Sequence, residues 1–288
     1  MPYSEGFGFI ADFRNPEKID VATYVTAHEM AHQWWAHQVV GADMQGSTML
    51  TETLAQYSAL MVMERMYGSE QVRKFLKFEL DRYLRDRATE AVEELPLYRV
   101  ENQQYVHYRK GSLAMYQLKD TIGEAAVNRA LKRLVEDRRF KGAPYPRSVE
   151  LISLLREEAG PEHQALITDL FERITLYDLK TTDAQTRRRP DGRWDVTLTV
   201  EAKKLYADGA GDETDAPLNE AFDVGVFSAE PGKKGFDRGD VLAFERRPLR
   251  TGKQTVTLTV AREPSHVGVD PYNKRIDRDS GDNLRKVG

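Results

Sequence analysis

The sequence predicts an α+β protein: a helical lobe over residues 1–174 followed by a small β-sandwich over residues 175–288. Three observations carry that expectation. Apolar residues recur at intervals of three and four from Val21 to about Ile174, the period of helices packed on one face. From about Thr175 the pattern changes to period two, in short runs separated by turn residues. A chain of 288 residues also has the length for two domains.

The elements follow in order. Met1 to Ile10 reads as a short strand. Val21 to Val40 reads as a helix that is apolar nearly all round, so it is expected inside a domain, with Gly41 as its C-cap. Gly46-Ser47-Thr48 opens a second helix with a hydroxyl N-cap, running from Met49 to Glu64. Amphipathic segments then span 70–85, 104–122, 124–138, 148–158 and 162–174, punctuated by Gly68, Gly123 and Gly160. Strands are expected on either side of the turn Pro190-Asp191-Gly192, and at 220–228, 241–247, 254–262 and 266–270. Arg187-Arg188-Arg189 reads as a charge cluster on an edge strand, and 277–282 as a surface turn, since its spacing misses a calcium loop.

The chemistry is concentrated in His28-Glu29-Met30-Ala31-His32. Side chains four apart on a helix project from one face, so His28 and His32 can offer two nitrogens to one zinc ion at roughly 2.0–2.1 Å. Glu29 is turned about 100° from His28, where it borders the metal without binding it, the place for a general base acting on water. Buried ionisable groups need compensation, and a metal supplies it here. A third ligand is expected from the second helix, which packs antiparallel to the first across a short loop. Glu52 is the only acid between Asp43 and Glu64. The rival donor, His37, comes five residues after His32 and faces elsewhere.

The stretch His28-Glu29-Met30-Ala31-His32-Gln33-Trp34-Trp35, followed by Thr51-Glu52-Thr53-Leu54-Ala55, resembles the zinc segment of the aminopeptidase N-like (gluzincin) zinc aminopeptidases. Nineteen residues separate His32 from Glu52, one more than the family's usual spacing, which a one-residue insertion in the loop after Gly41 would accommodate. The resemblance implies a thermolysin-like helical catalytic lobe, with zinc held by His28, His32 and Glu52 and with Glu29 taking the proton from the attacking water. It implies that Tyr108, just before Arg109-Lys110-Gly111, steadies the oxyanion. It also implies that Glu5, in the divergent strand Tyr3-Ser4-Glu5-Gly6-Phe7-Gly8, holds the free amino group of a peptide. Tyr105 and Tyr116 read as packing residues, and His107 alternates away from Tyr108 if that approach is extended.

Family members carry a β-domain ahead of that strand, so the chain is expected to be part of something longer. Its wording is closest to bacterial modules that follow a multi-span transporter permease, which implies a membrane-embedded parent. The net charge of −4 gives no electrostatic case for nucleic acid, and the absence of cysteine excludes disulfides and thiolate metal sites. No apolar run reaches the length of a membrane span. The expected partner is a peptide substrate. Two other functions remain compatible with these residues: a zinc-bearing binding or regulatory module that does not cleave, and a zinc endopeptidase. An intact Glu29 argues against the first.

Overall fold

The computed structural model describes residues 18–288, so Glu5 and the strand expected around it lie outside the described residues. The fold is α+β. The chain divides into two compact units, one running to Thr175 and taking in Ala207–Asp212, the other comprising Leu176–Tyr206 and Glu213–Gly288.

The first unit is helical. Its elements are α1 (Val21–Ala31), α2 (Leu54–Tyr67), α3 (Ser69–Thr89), α4 (Gly111–Ile122), α5 (Glu124–Arg138), α6 (Ser148–Ala159) and the single turn α7 (Gln164–Ile167). Asp20 caps α1, its carboxylate accepting from the Thr23 amide at 3.0 Å. Helices α2 and α3 are joined through Gly68 alone, and α4 and α5 through Gly123 alone. Both glycines have φ near +85 to +90°, where a side chain would be strained. Periodic residues make the core: Val72, Phe75, Leu76, Leu80 and Tyr83 on α3, and Ala126, Val127, Ala130, Leu131 and Leu134 on α5. Removing such a side chain, as in Leu76→Ala, costs about 2–5 kcal/mol.

Three expectations fail here. The first helix stops at Ala31 instead of Val40, and the chain turns tightly through 32–39. Trp35 and Val39 form a bridge, and Ala36 sits at φ 118°. Gly41 therefore caps nothing. The stretch is also not buried all round: Tyr24, His28 and Ala31 on the helix are buried, while Met30 on the helix and Trp34 in the turn after it are about half exposed at 51% and 47%. The amphipathic stretch 162–174 is broken into a 3-10 turn (Pro161–His163), α7 and a π-turn (Thr168–Glu172), and Ile174 already begins a strand.

Two further π-turns sit inside longer helical runs. Met49–Thr53 leads without a break into α2, and Tyr105–Lys110 leads into α4. Thr48 makes no side-chain capping bond, so the expected hydroxyl N-cap is not used.

The second unit is a sandwich of two four-stranded sheets. Its strands are β1 (Ile174–Arg188), β2 (Trp194–Ala207), β3 (Glu213–Ala216), β4 (Asn219–Phe227), β5 (Val241–Arg250), β6 (Gly252–Val260), β7 (His266–Val269) and β8 (Leu284–Lys286). In one sheet β2 lies between β1 and β3 and also pairs with β6, Val196 opposite Leu258. The other has the order β5-β4-β7-β8. Alternating residues of both sheets, including Val196, Leu198, Val200, Val224, Val226, Leu258 and Val267, share one core. The short strands β3 and β8 were not expected from the sequence.

The segment read as a surface turn is partly interior. Asp277 is buried, as are Asp270 and Asn283 on either side of the segment, and Asp277 Oδ2 has no hydrogen-bond partner among the described residues. Burial pushes the carboxyls of both Asp270 and Asp277 up to about 7. An acid whose folded value lies above its unfolded value of 3.8 binds more protons when folded. Its stabilising effect is present at low pH and is lost as pH rises from about 4 through about 7. Urea unfolding followed at a series of pH values should therefore show stability falling over that window, by up to about 1.4 kcal/mol per pH unit for each proton. Asp277→Asn should flatten the slope; an unchanged slope in that variant removes Asp277 as its source.

Candidate metal centre

His28 lies in the last turn of α1, and His32 follows as its C-cap residue. His32 keeps helical angles (φ −61°, ψ −13°), so both imidazoles still project from one face although the helix has ended. Glu52 reaches the same point from the π-turn that opens α2. His28 Nε2 and His32 Nε2 stand 3.1 Å apart, and Glu52 Oε2 lies 3.4 Å from the first and 3.5 Å from the second. Among the described residues this is the one cluster of three such side chains with metal-binding spacing.

The geometry can be tested against a metal. A tetrahedral ion with bonds of about 2.05 Å has donor atoms roughly 3.3 Å apart, and these three separations bracket that value. The proton placement also fits. His32 Nδ1 lies 2.8 Å from the Trp35 carbonyl oxygen, which can only accept, so Nδ1 carries the hydrogen and Nε2 presents a lone pair. The tight turn after Ala31 brings that carbonyl back to His32, and the Trp35 indole holds the turn by donating to Ser58 Oγ on α2 at 3.1 Å. Glu52 Oε2 is buried without a hydrogen-bond partner of its own among the described residues. The His32 lone pair, His28 Nε2 and this carboxylate oxygen lie within 3.5 Å of one another, the arrangement that a cation among them would satisfy. The donor set fits zinc.

Electrostatics agree on where the charges face. Burial pushes the Glu52 carboxyl up, but the facing His28, His32 and Tyr108 side chains outweigh it and hold the group well below the ordinary carboxylate range. Glu52 raises the His32 imidazole, with burial opposing. Burial, reinforced by the Glu52 carboxylate, raises the Tyr108 phenol. The Glu29 charge adds to the upward push on both the His32 imidazole and the Tyr108 phenol, behind the larger causes. No hydrogen bond or ion pair engages Glu29 among the described residues.

Tyr108 lies on the second internal π-turn, with its ring 5.5 Å from that of His28. Because this segment is helical and not extended, His107 does not alternate away. It is buried edge-on against Tyr108 at 4.5 Å, and burial lowers its imidazole to about 4. Tyr105 and Tyr116 are buried packing residues. His37 is exposed, with Nδ1 3.3 Å from Gln33 Nε2, and takes no part in the cluster.

The π-turn at Glu52 gives the long His32–Glu52 spacing a structural place. A π-turn closes its hydrogen bonds one residue further on than an α-turn, so it houses an extra residue inside the helix. The π-turn beside Glu52 is thus a second place, besides the loop after Gly41, where the extra residue of that spacing can be taken up. Sequence periodicity has no signal for this, because the π-turn depends on contacts with another segment.

Missed by the sequence reading was buried Glu79 on α3, which accepts hydrogen bonds from Tyr24 (2.8 Å), Gln56 (2.9 Å) and Arg109 (2.9 Å). Its only prior signal was a lone acid on the apolar stripe of α3.

Two imidazoles and a carboxylate converging on one point, with a second carboxylate beside them, make up the donor set of a single-metal hydrolytic centre. The model of the Peptidase family M1 domain matches residues 10–173, and the chain belongs to that family. Among solved structures, aminopeptidase A of Legionella pneumophila in complex with aspartic acid is similar over 91% of this chain and 28% of its own, with a TM-score of 0.50 and 15% identity, a likeness of fold. An M1 zinc metallopeptidase of Deinococcus radiodurans bound to a Tyr-Ser-Ala substrate matches 51% of this chain and 32% of its own at 25% identity, with a TM-score of 0.41. The chain thus spans about a third of the length of the structures it matches. No curated protein matches it.

The purified chain should bind about one zinc per molecule by elemental analysis. His28→Ala, His32→Ala and Glu52→Ala should each abolish stoichiometric zinc, and His37→Ala should retain it. The reverse pattern for Glu52 and His37 would overturn the ligand set.

Proposed function

We propose that this chain is the catalytic part of a zinc metallopeptidase that removes N-terminal residues from peptides. Residues 1–174 form its catalytic lobe and residues 175–288 its β-sandwich domain. The observation that carries the reading is the triangle of His28, His32 and Glu52, with Glu29 next to His28 in sequence, in a chain of the M1 family. Zinc held there supplies a Lewis acid that polarises the scissile carbonyl and makes a water acidic.

The chain's own residues do the rest. Glu29 accepts the proton of the attacking water and passes it to the leaving amine, as a general base and then a general acid. The Tyr108 phenol, kept protonated by burial and by the Glu52 carboxylate, donates a hydrogen bond to the oxygen that gains charge. His32 is held in one tautomer by the Trp35 carbonyl. Release of N-terminal residues in particular rests on Glu5, whose carboxylate would bind the substrate ammonium. Among the described residues no helix is long and apolar enough to cross a membrane, so a membrane-embedded parent, as in the transporter-fused modules, would carry its spans elsewhere.

Glu29→Gln keeps the shape and removes the base. Zinc content should stay at wild type while turnover of amino-acid amides falls by about 10²–10⁴-fold. A wild-type protein that holds zinc and cleaves neither free nor blocked peptides would instead be a binding module.

Glu5→Ala separates exopeptidase from endopeptidase. A charge-assisted hydrogen bond to the ammonium is worth roughly 1.5–3 kcal/mol, so kcat/KM for free-amine substrates should fall about ten- to a hundredfold. N-blocked peptides should be poor substrates of both proteins. Equal cleavage of free and blocked peptides would leave only the zinc hydrolase.

A further inference from the structure

Glu52 and Tyr108, the two site residues among the described ones that come from outside the His-Glu-x-x-His segment, share an unusual local setting. Each sits on a π-turn inside a longer helical run. Such turns are rare and do not persist without contacts that support them. The two are joined directly to one another. Thr53, the residue after Glu52, donates its hydroxyl to the carbonyl oxygen of His107, the residue before Tyr108, at 2.6 Å in a buried position. Thr53 itself is fully buried.

The join is also sterically closed. Gly111, the first residue of α4 after the Tyr108 π-turn, packs on the Thr53 side chain. A Cβ at position 111 would lie 2.4 Å from Thr53 Oγ1, 2.7 Å from Cγ2 and 3.0 Å from its Cβ. No side chain fits there without separating the two segments. The two segments therefore meet at a short buried hydrogen bond and at a gap that only glycine fits.

We propose that Thr53 is a positioning residue that couples the third zinc ligand to the oxyanion donor, setting Glu52 and Tyr108 at a fixed separation through its bond to the His107 carbonyl. The proposal rests on the zinc peptidase reading above for its consequence in turnover. Its consequence for metal binding stands apart from catalysis. A β-branched hydroxyl suits the role: the methyl group fills the space against Gly111 while the oxygen reaches the carbonyl. Without the bond, the Glu52 and Tyr108 segments lose their direct link, and the two side chains can shift relative to one another within the register that Glu79 and Glu94 hold.

The test uses the whole chain with Thr53→Val, which keeps shape and loses the donor, and Thr53→Ser, which keeps the donor and loses the methyl group. Zinc affinity is measured by competition with a chelator. Supporting partners of metal ligands typically contribute ten- to a hundredfold, so Thr53→Val should weaken zinc by about that factor and Thr53→Ser should stay within about threefold of wild type. On amino-acid amides at saturating zinc, Thr53→Val should lower kcat at least tenfold with little change in KM. In a Tyr108→Phe background the same substitution should have under about a threefold effect on kcat, because the residue it positions is already gone. Wild-type zinc affinity in Thr53→Val overturns the proposal, and so does a Thr53→Ser protein as impaired as Thr53→Val, which would make the role one of packing. Zinc binding without turnover in the wild type would defeat the peptidase reading, and the two zinc affinities would still decide the role of Thr53.

Discussion

The helical unit is tied together by one buried carboxylate. Glu79 is wholly enclosed, and a carboxylate removed from water costs several kcal/mol unless its oxygens are satisfied. Its three partners come from three other segments: Tyr24 on α1, Gln56 on α2 and Arg109 on the turn before α4. Tyr24 is one helical turn before His28, Gln56 is one turn after Glu52, and Arg109 is next to Tyr108. A segment that drifted would strand a buried charge, and losing one partner of such a group typically costs about 3–5 kcal/mol. Register of all three site-bearing segments is thereby tied to α3.

A second enclosed carboxylate repeats the device further along. Glu94 accepts from Tyr83, Arg87 and the buried Lys110, each at 2.8 Å. Burial raises its carboxyl, and the Lys110 ammonium with its other partners outweighs that and holds it low. Lys110 lies two residues past Tyr108, so the π-turn bearing the phenol is gripped from both sides, by Arg109 on Glu79 and by Lys110 on Glu94. Where a hydrogen-bonded turn is wider than an ordinary helix, as here, such fixed points outside the turn keep it from closing up.

Much of this was legible in the sequence, for identifiable reasons. The i, i+4 spacing of His28 and His32 survives the end of the helix because His32 keeps helical angles. Strand positions followed from alternation, and the β1–β2 hairpin from Pro190-Asp191-Gly192. What was not legible depends on tertiary contact. The helix was read on to Val40 because its residues are apolar, but apolarity says that a surface seeks cover without saying what covers it. Ala27, Met30 and Trp34 line an open groove with Val62, Met66 and Leu131. The π-turns were invisible because a single-residue register change leaves helical periodicity almost intact. Asp277 was read as surface because nothing in a run of Asp, Ser and Gly reveals that it folds inward.

The charges at the centre explain why these particular groups are gathered. Glu52 faces two imidazoles, Glu29 follows His28 in sequence, and His32 is fixed with its lone pair inward. The two carboxylates concentrate negative charge here, and the neighbouring Arg109 is paired with Glu79. A divalent ion among them brings the formal sum to zero. The same balance distinguishes the two carboxylates. Glu52, buried and surrounded by His28, His32 and Tyr108, is held in its charged form and suits a permanent ligand. Glu29, with no hydrogen bond or ion pair among the described residues, keeps its oxygens available for the base role proposed above. In that proposal the proton it takes would add one unit of positive charge to the centre as the substrate carbonyl oxygen gains a negative one, and the Tyr108 phenol, kept protonated by burial and the Glu52 carboxylate, would have to supply only a hydrogen bond.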